Sequence, residues 1–321
     1  MDLDVIFLGT GGSIPSARRN TAAVLVRRGG DRLLFDCGEG TQRQMQRSTG
    51  LVQVTDLFIT HLHADHYLGL PGLIKTWDMQ DRDEPLFVYG PPGLANLFSA
   101  IGRIVGRVGF EIELDELEPG DCVNFDRYKV EPFAVEHRIR AHGYALCEEP
   151  RPGRFDPDRA RELGIAEGPE FGRLQRGEQV TGPQGVVRPD QVMSEERLGR
   201  RVVITGDTEP CADTREAALG AQLLVHDASF ADEEAERAAE TGHSTARQAG
   251  ELAASAEVHM LALVHISSRH FVPEILAEAR EAFPRAEAPK DFDRVEIPFP
   301  ERGEPVLIER GALAEARRDS V

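Results

Sequence analysis

Short apolar runs closed by glycine or aspartate set the rhythm of the first sixty positions: VIFLG (5–9), TAAVLV (21–26), RLLFDCG (32–38) and DLFIT (56–60). Their β-branched, turn-bounded character predicts the strands of a meander. LPGLIKTWDM (70–79) changes to helical spacing, PLFVYG (85–90) is another strand, and GLANLFSAIGRIV (93–105) behind a Pro-Pro-Gly start is an amphipathic helix. The second half repeats the style. YKVEPFAVEH, HGYALCE, RVVITGD, QLLVHDASF and MLALVHIS read as strands, and TARQAGELAASA and VPEILAEAREAF as helices. One sheet from each half with helices outside predicts a four-layer αββα sandwich over residues 1–310, with 311–321 as a C-terminal tail.

Between the halves, residues 148–201 are rich in proline, glycine and arginine and lack sustained apolar periodicity. A compact domain rarely keeps so long a weakly structured stretch unless it is functional or a linker, so it reads as an insertion into the fold. Charge adds to this picture. The 321 residues carry 37 Lys+Arg against 55 Asp+Glu, a net −18, and the only lysines are Lys75, Lys129 and Lys290. Such acidity repels itself at low ionic strength and suits concentrated salt, which predicts a halophilic source. It also argues against nucleic acid as a partner, except that 151–201 holds ten arginines against nine acidic residues, so basic charge is concentrated in the insertion. Cys37, Cys122, Cys147 and Cys211 form no CxxC pair, which excludes a disulfide framework or a thiolate zinc ribbon and suits a reducing cytoplasm. No basic leader precedes an apolar run and no stretch is long enough to span a bilayer, so the expectation is a soluble, unexported chain without a membrane partner.

The chemistry centres on His61-Leu62-His63-Ala64-Asp65-His66, four potential ligands directly after the strand that ends at Thr60. On a tight loop, His61 and His63 can point one way while Asp65 and His66 turn to a neighbouring point, an arrangement for two metals. Imidazole and carboxylate without thiolate favour Zn²⁺ ahead of Mn²⁺ or Fe²⁺. His137, Asp207 and His265 each follow a later strand, at the sheet edge where loops converge to build sites.

HxHxDH with these later residues resembles the metallo-β-lactamase fold in its dinuclear form. That resemblance implies His61, His63 and His137 around a first zinc, Asp65, His66 and His265 around a second, and Asp207 bridging them. His137 takes the role over His142 because it follows its strand directly, leaving His142 as a polar turn residue. FLGTGGSIPSARRN (7–20), LFDCGEGTQRQM (34–45), LLVHDASF (223–230) and TGHSTARQAG (241–250) further resemble the signatures of the ribonuclease Z family, in its short form. The family implies an endonuclease that removes the 3′ trailer of precursor tRNA after the discriminator base, leaving a 3′-hydroxyl. It also implies an arm, here the insertion with Gly168-Pro169, that grips tRNA, and a homodimer. Asp65 would take the proton of the attacking water, and His243, oriented by Asp227 where the family usually has glutamate, would serve the leaving group. Arg18 and Arg19 have the forked geometry to pair with phosphates, Asp36 is either support for the ligands or a cap, and Ser267, Ser268 and Arg269 either line the phosphate site or cap a loop. A small-substrate hydrolase or phosphodiesterase of the same fold explains HLHADH equally but not the insertion, PSARRN or GHSTA. A non-catalytic RNA-binding scaffold sits poorly with seven ligands.

Overall fold

The computed structural model describes residues 2–310, so the 311–321 tail lies outside the described residues. Two compact units divide the chain: residues 1–147 with 200–321, and residues 148–199.

In the larger unit, the first sheet runs in the order Val306–Ile308, Arg294–Glu296, Leu3–Gly9, Ala23–Arg28, Asp31–Phe35, Asp56–Phe58, Leu86–Gly90, Ile112–Glu116. It is antiparallel up to Asp31–Phe35 and parallel from there on. In the second sheet, Ala286–Glu287, Leu261–Val264, Leu223–Asp227 and Arg201–Ile204 are parallel. His142–Glu148 joins them antiparallel, followed by Tyr128–Ala134 and Val123–Phe125.

The unbroken apolar runs follow from burial on both faces of each sheet. Val5 and Phe7, Leu33 and Phe35, and Phe58 point into one core, where they meet Tyr144, Leu146, Val202, Ile204 and Val225 of the opposite sheet. The alternate residues Ile6, Leu8, Leu34, Leu57 and Ile59 face a second core closed by Met45, Leu73, Trp77 and Phe98 of the helices Thr41–Ser48, Leu70–Met79 and Leu94–Val105. Val203, Leu224 and Leu263 likewise meet the alanine-rich helix Ala246–Ser255 and the helix Val272–Ala282. The expected αββα layering is therefore present. Among the described residues no helix is long and apolar enough to cross a membrane.

The smaller unit differs from the weakly structured stretch expected of it. It contains the helices Pro157–Glu162 and Pro169–Gln175 and the hairpin Val180–Gly182/Gly185–Val187. These close over a core of their own, formed by Ala160, Ile165, Phe171, Leu174, Val180, Val187 and Val192. Each element is too short for periodicity to register, since a six-residue helix offers a single buried position, Ala160. Arg200 and Arg201 fall in the larger unit, where Arg201 opens a strand paired with Cys147.

Candidate metal centre

Parallel strands deliver their C-terminal ends to one edge, and loops leaving those ends build the site. Asp56–Phe58 leads into His61 and His63, and the short helix Ala64–Tyr67 carries Asp65 and His66. Asp207 follows Arg201–Ile204, Asp227 ends Leu223–Asp227, and His265 follows Leu261–Val264 in the left-handed conformation at φ 58°. His137 comes from the loop after Tyr128–Ala134.

The structure brings all seven expected ligands into two adjoining groups. His61, His63, His137 and Asp207 form one, and Asp65, His66 and His265 the other; a third group, Asp207, Asp227, His243 and His265, shares Asp207 with the first and His265 with the second. His63 Nδ1 lies 2.9 Å from His61 Nε2 and 3.2 Å from His137 Nε2. Asp65 Oδ2 lies 3.2 Å from His265 Nε2 and 3.6 Å from His66 Nε2. Asp207 reaches both groups: Oδ2 is 3.6 Å from His61 Nε2 and 3.4 Å from His265 Nε2, and Oδ1 is 3.4 Å from His66 Nε2. Donors bound at about 2.0–2.1 Å around a tetrahedral ion stand about 3.3 Å apart, the spacing seen here.

Hydrogen bonds behind the cluster fix which nitrogen faces inward. His137 Nδ1–H donates to the Gly242 carbonyl at 2.6 Å and His66 Nδ1–H to Asp36 at 2.7 Å. His265 Nδ1–H donates to the Ser229 hydroxyl at 2.8 Å, and His61 Nδ1–H to the Thr60 hydroxyl at 3.0 Å, whose own proton goes to Asp36. Asp36, itself at φ 57°, is thus a support for the ligands rather than a cap. Thr60, Ser229 and Gly242 are supporting residues the sequence did not single out. Their partners lie up to 105 positions away and no local pattern marks them.

Electrostatics agree with a cation at this point. Asp207 is fully buried, yet the surrounding imidazoles of His265, His66 and His61 hold it well below the usual carboxylate range. Burial and its histidine neighbours push His61 well below the usual histidine value, whereas the carboxylates of Asp207 and Asp36 overcome burial and hold His66 well above it. His66 Nε2 and Asp207 Oδ1 are buried with no hydrogen-bond partner, the condition of donor atoms shaped for an ion. The residues present therefore suit a bound metal.

His243 adjoins this cluster. Its Nδ1–H donates to Asp227 at 2.7 Å and lies 3.9 Å from Asp207. Burial works against the charge, but the Asp227 carboxylate outweighs it and pushes His243 up to about 9. The shorter aspartate reaches the imidazole because Ser229 and the Thr208 N–H hold its carboxylate in place.

Other expectations fare differently. Arg19 faces inward: its Nη1 donates to Thr10 Oγ1 at 2.6 Å and to the Pro289 carbonyl at 2.7 Å, so it braces the loop and is not offered to a phosphate. Arg18 is exposed. His142 is no turn residue; it is buried at the start of His142–Glu148, where its N–H donates to the Thr60 carbonyl and Nε2 meets the Leu117 carbonyl at 3.0 Å. Arg269 turns to Ser267 and Glu234, at 3.3 Å and 3.5 Å.

An αββα sandwich with a histidine–aspartate cluster at its strand ends is the plan of the metallo-beta-lactamase superfamily, whose family model matches residues 17–245. A "Ribonuclease Z" of Haloferax volcanii is 49% identical over 305 residues, covering 93% of this chain and 96% of the relative. A "Ribonuclease Z" of Natronomonas pharaonis is 50% identical over 307 residues, covering 94% and 100%. Among solved structures, human tRNase Z, short form, is similar with a TM-score of 0.67 and 27% identity, over 92% of this chain and 99% of that one. Within the superfamily, the chain belongs to the ribonuclease Z family, metal-dependent endonucleases.

Proposed function

We propose that the chain removes the 3′ trailer of precursor tRNA, cutting after the discriminator base and leaving a 3′-hydroxyl, with two Zn²⁺ per subunit (Mn²⁺ as the alternative ion) and as a homodimer. What carries the reading is the His243–Asp227 pair set against a seven-residue donor cluster. The relatives named Ribonuclease Z and the human tRNase Z neighbour support tRNA as the substrate class. The cytoplasm is the compartment this reading implies, and four unpaired cysteines suit it.

In this reading His61, His63 and His137 would hold one ion and Asp65, His66 and His265 the other, with Asp207 a donor available to both groups. Two such ions would lower the pKa of water and neutralise charge developing on the phosphodiester. The protein's own groups supply the rest. His265 and His66 hold the Asp65 carboxyl below the usual carboxylate range despite its partial burial; in this reading it is the group that takes the proton of the attacking water. The Ser13 N–H, 3.0 Å from Asp65 Oδ2, fixes that carboxylate's direction. His243, protonated at neutral pH through Asp227, gives its proton to the departing oxygen.

Purified protein in concentrated salt with Zn²⁺ or Mn²⁺ is incubated with a precursor tRNA bearing a 3′ trailer and, separately, with bis(p-nitrophenyl) phosphate. Cleavage after the discriminator with a 3′-hydroxyl is expected. Hydrolysis of the small diester with the RNA left whole would keep the metal centre and overturn the tRNA reading in favour of a small-substrate phosphodiesterase.

A further inference from the structure

The loop that brings His137 to the donor cluster brings a second residue with it. This loop joins the strands Tyr128–Ala134 and His142–Glu148 and is pinned at both ends. The Glu209 N–H donates to the Glu136 carbonyl at 2.8 Å, and Ala141 forms an antiparallel bridge with His61. Arg140 stands 2.7 Å from each carboxylate oxygen of Glu118. His137 and Arg138 therefore leave a fixed stretch of backbone.

Arg138 is exposed, yet its stem is held against a neighbouring turn. A Cβ at Gly242, which sits at φ 73°, would stand 3.1 Å from both Cγ and the backbone nitrogen of Arg138 and 3.0 Å from His137 Nδ1. Only a residue without a side chain lets the two loops approach so closely. Gly242 precedes His243, so the stem of Arg138 lies beside the turn that carries the acid.

The charge at the end of that stem is uncommitted. Among the described residues no carboxylate pairs with the Arg138 guanidinium, and the Glu136 carboxylate two positions back forms no ion pair with it. Arg140, by contrast, is spent on Glu118. In a chain of net charge −18, an arginine beside the donor cluster with all its guanidinium donors free is suited to an anion brought by the substrate. In the tRNA-processing reading, His243 serves the departing 3′-oxygen, which belongs to the discriminator nucleotide. A cation beside the His243 turn is thus on the discriminator side of the scissile bond, where the next phosphate is the one 5′ to that nucleotide.

Resting on that reading, we propose that Arg138 binds the phosphate on the 5′ side of the discriminator nucleotide and so fixes the register in which the scissile phosphate meets the metal centre. Gly242 and the Arg140–Glu118 pair keep its loop in place for that contact.

The test pairs a charge removed from the protein with a charge removed from the RNA. Precursor tRNA is made with the native phosphate or with a neutral methylphosphonate on the 5′ side of the discriminator. A third substrate carries the methylphosphonate three linkages into the trailer, and 2′-deoxy sugars precede both positions in all three. The parent is compared with Arg138→Ala, Arg138→Gln and Arg138→Lys across a range of salt. On the native linkage Arg138→Ala is expected to raise KM about 5–10-fold and to flatten the dependence of log KM on log salt by about one, with Arg138→Lys in between. Neutralising the phosphate beside the discriminator should cost the parent a similar factor but Arg138→Ala less than about twofold, because the variant has already lost the contact. The trailer methylphosphonate should affect parent and variants alike. Arg138→Gln keeps the stem against Gly242 without the charge and should behave as Arg138→Ala. If the neutral linkage costs both variants as much as it costs the parent, or if their KM and salt slope match the parent, the assignment is overturned and the tRNA reading stands. Loss of bound metal and of kcat in Arg138→Gln would mark a brace for His137 and overturn it equally. A parent protein that leaves precursor tRNA whole would remove the tRNA reading and this contact with it.

Discussion

The Asp227 carboxylate is completely buried, and the four donors it gathers leave it no partner to lose cheaply. Its negative charge is what keeps His243 protonated, so the two residues make separable predictions. His243→Ala should slow precursor cleavage about 10²–10³-fold, the scale of a lost general acid, with metal content by elemental analysis unchanged; loss of bound zinc would overturn the assigned role. Asp227→Asn preserves size but removes the charge, so the His243 pKa falls from its raised value and an acid that must be protonated fails sooner as pH rises. The alkaline limb of the kcat–pH profile should therefore move to lower pH, and an unmoved limb would remove His243 as the titrating acid. Thiol chemistry offers a check on burial. Cys37 is buried and pushed up to about 12 by loss of solvent, whereas Cys122 is exposed. A thiol reagent at pH 8 should label Cys122 at once and Cys37 only after denaturation. At this scale the donor residues were legible because HLHADH is contiguous and the rest end apolar strands. Arg19 was not, because its role depends on Thr10, Pro289 and the nearby Asp291, and no local pattern announces a partner 270 positions away.

Among the elements, the long strands were legible for a simple reason: both faces are covered, so Leu3–Gly9 carries the apolar run Val5–Leu8 and Leu223–Asp227 the apolar run Leu223–Val225. The edges were not. Ile112–Glu116 reads IELDE and is largely exposed, Val123–Phe125 and Val306–Ile308 have three residues each, and Ala286–Glu287 has two. Charged or very short edge strands resist unwanted pairing and for the same reason carry little apolar signal. The insertion leaves and rejoins the larger unit between two strands that are antiparallel neighbours, with Cys147 opposite Arg201. Replacing residues 148–199 by a short glycine-containing hairpin turn should thus leave that pair of strands intact. We expect the shortened enzyme to hydrolyse bis(p-nitrophenyl) phosphate at close to the parental rate while KM for precursor tRNA rises at least about tenfold, as expected when several phosphate contacts go together. Equal loss on both substrates would mean the insertion supports the metal centre and does not hold RNA.

For the molecule as a whole, the candidate centre is a seam as well as a site. His61, His63, Asp65 and His66 follow a strand of one sheet, and His137, Asp207 and His265 follow strands of the other. Metal held between them would stabilise the folded form by mass action, since the unfolded chain has no such cluster. Chelation should lower the melting temperature by several degrees, Zn²⁺ should restore it, and an unchanged melt would mean that no ion bridges the sheets. The net charge of −18 acts on the same quantity through salt. Self-repulsion across an acidic surface weakens as the screening length falls from about 10 Å at 0.1 M to about 3 Å at 1 M. The melting temperature should therefore climb with KCl over that range and beyond. RNA affinity runs the other way, because each phosphate contact depends on releasing counterions into a dilute bath. With stability rising and affinity falling, kcat/KM for precursor tRNA should pass through a maximum at intermediate salt, whereas turnover of a singly charged small diester should rise and level off. A melting temperature indifferent to salt would remove the halophilic reading of the composition. A monotonic fall in precursor cleavage alongside a rising melting temperature would mean that the fold is complete at low salt and that RNA binding alone limits the enzyme.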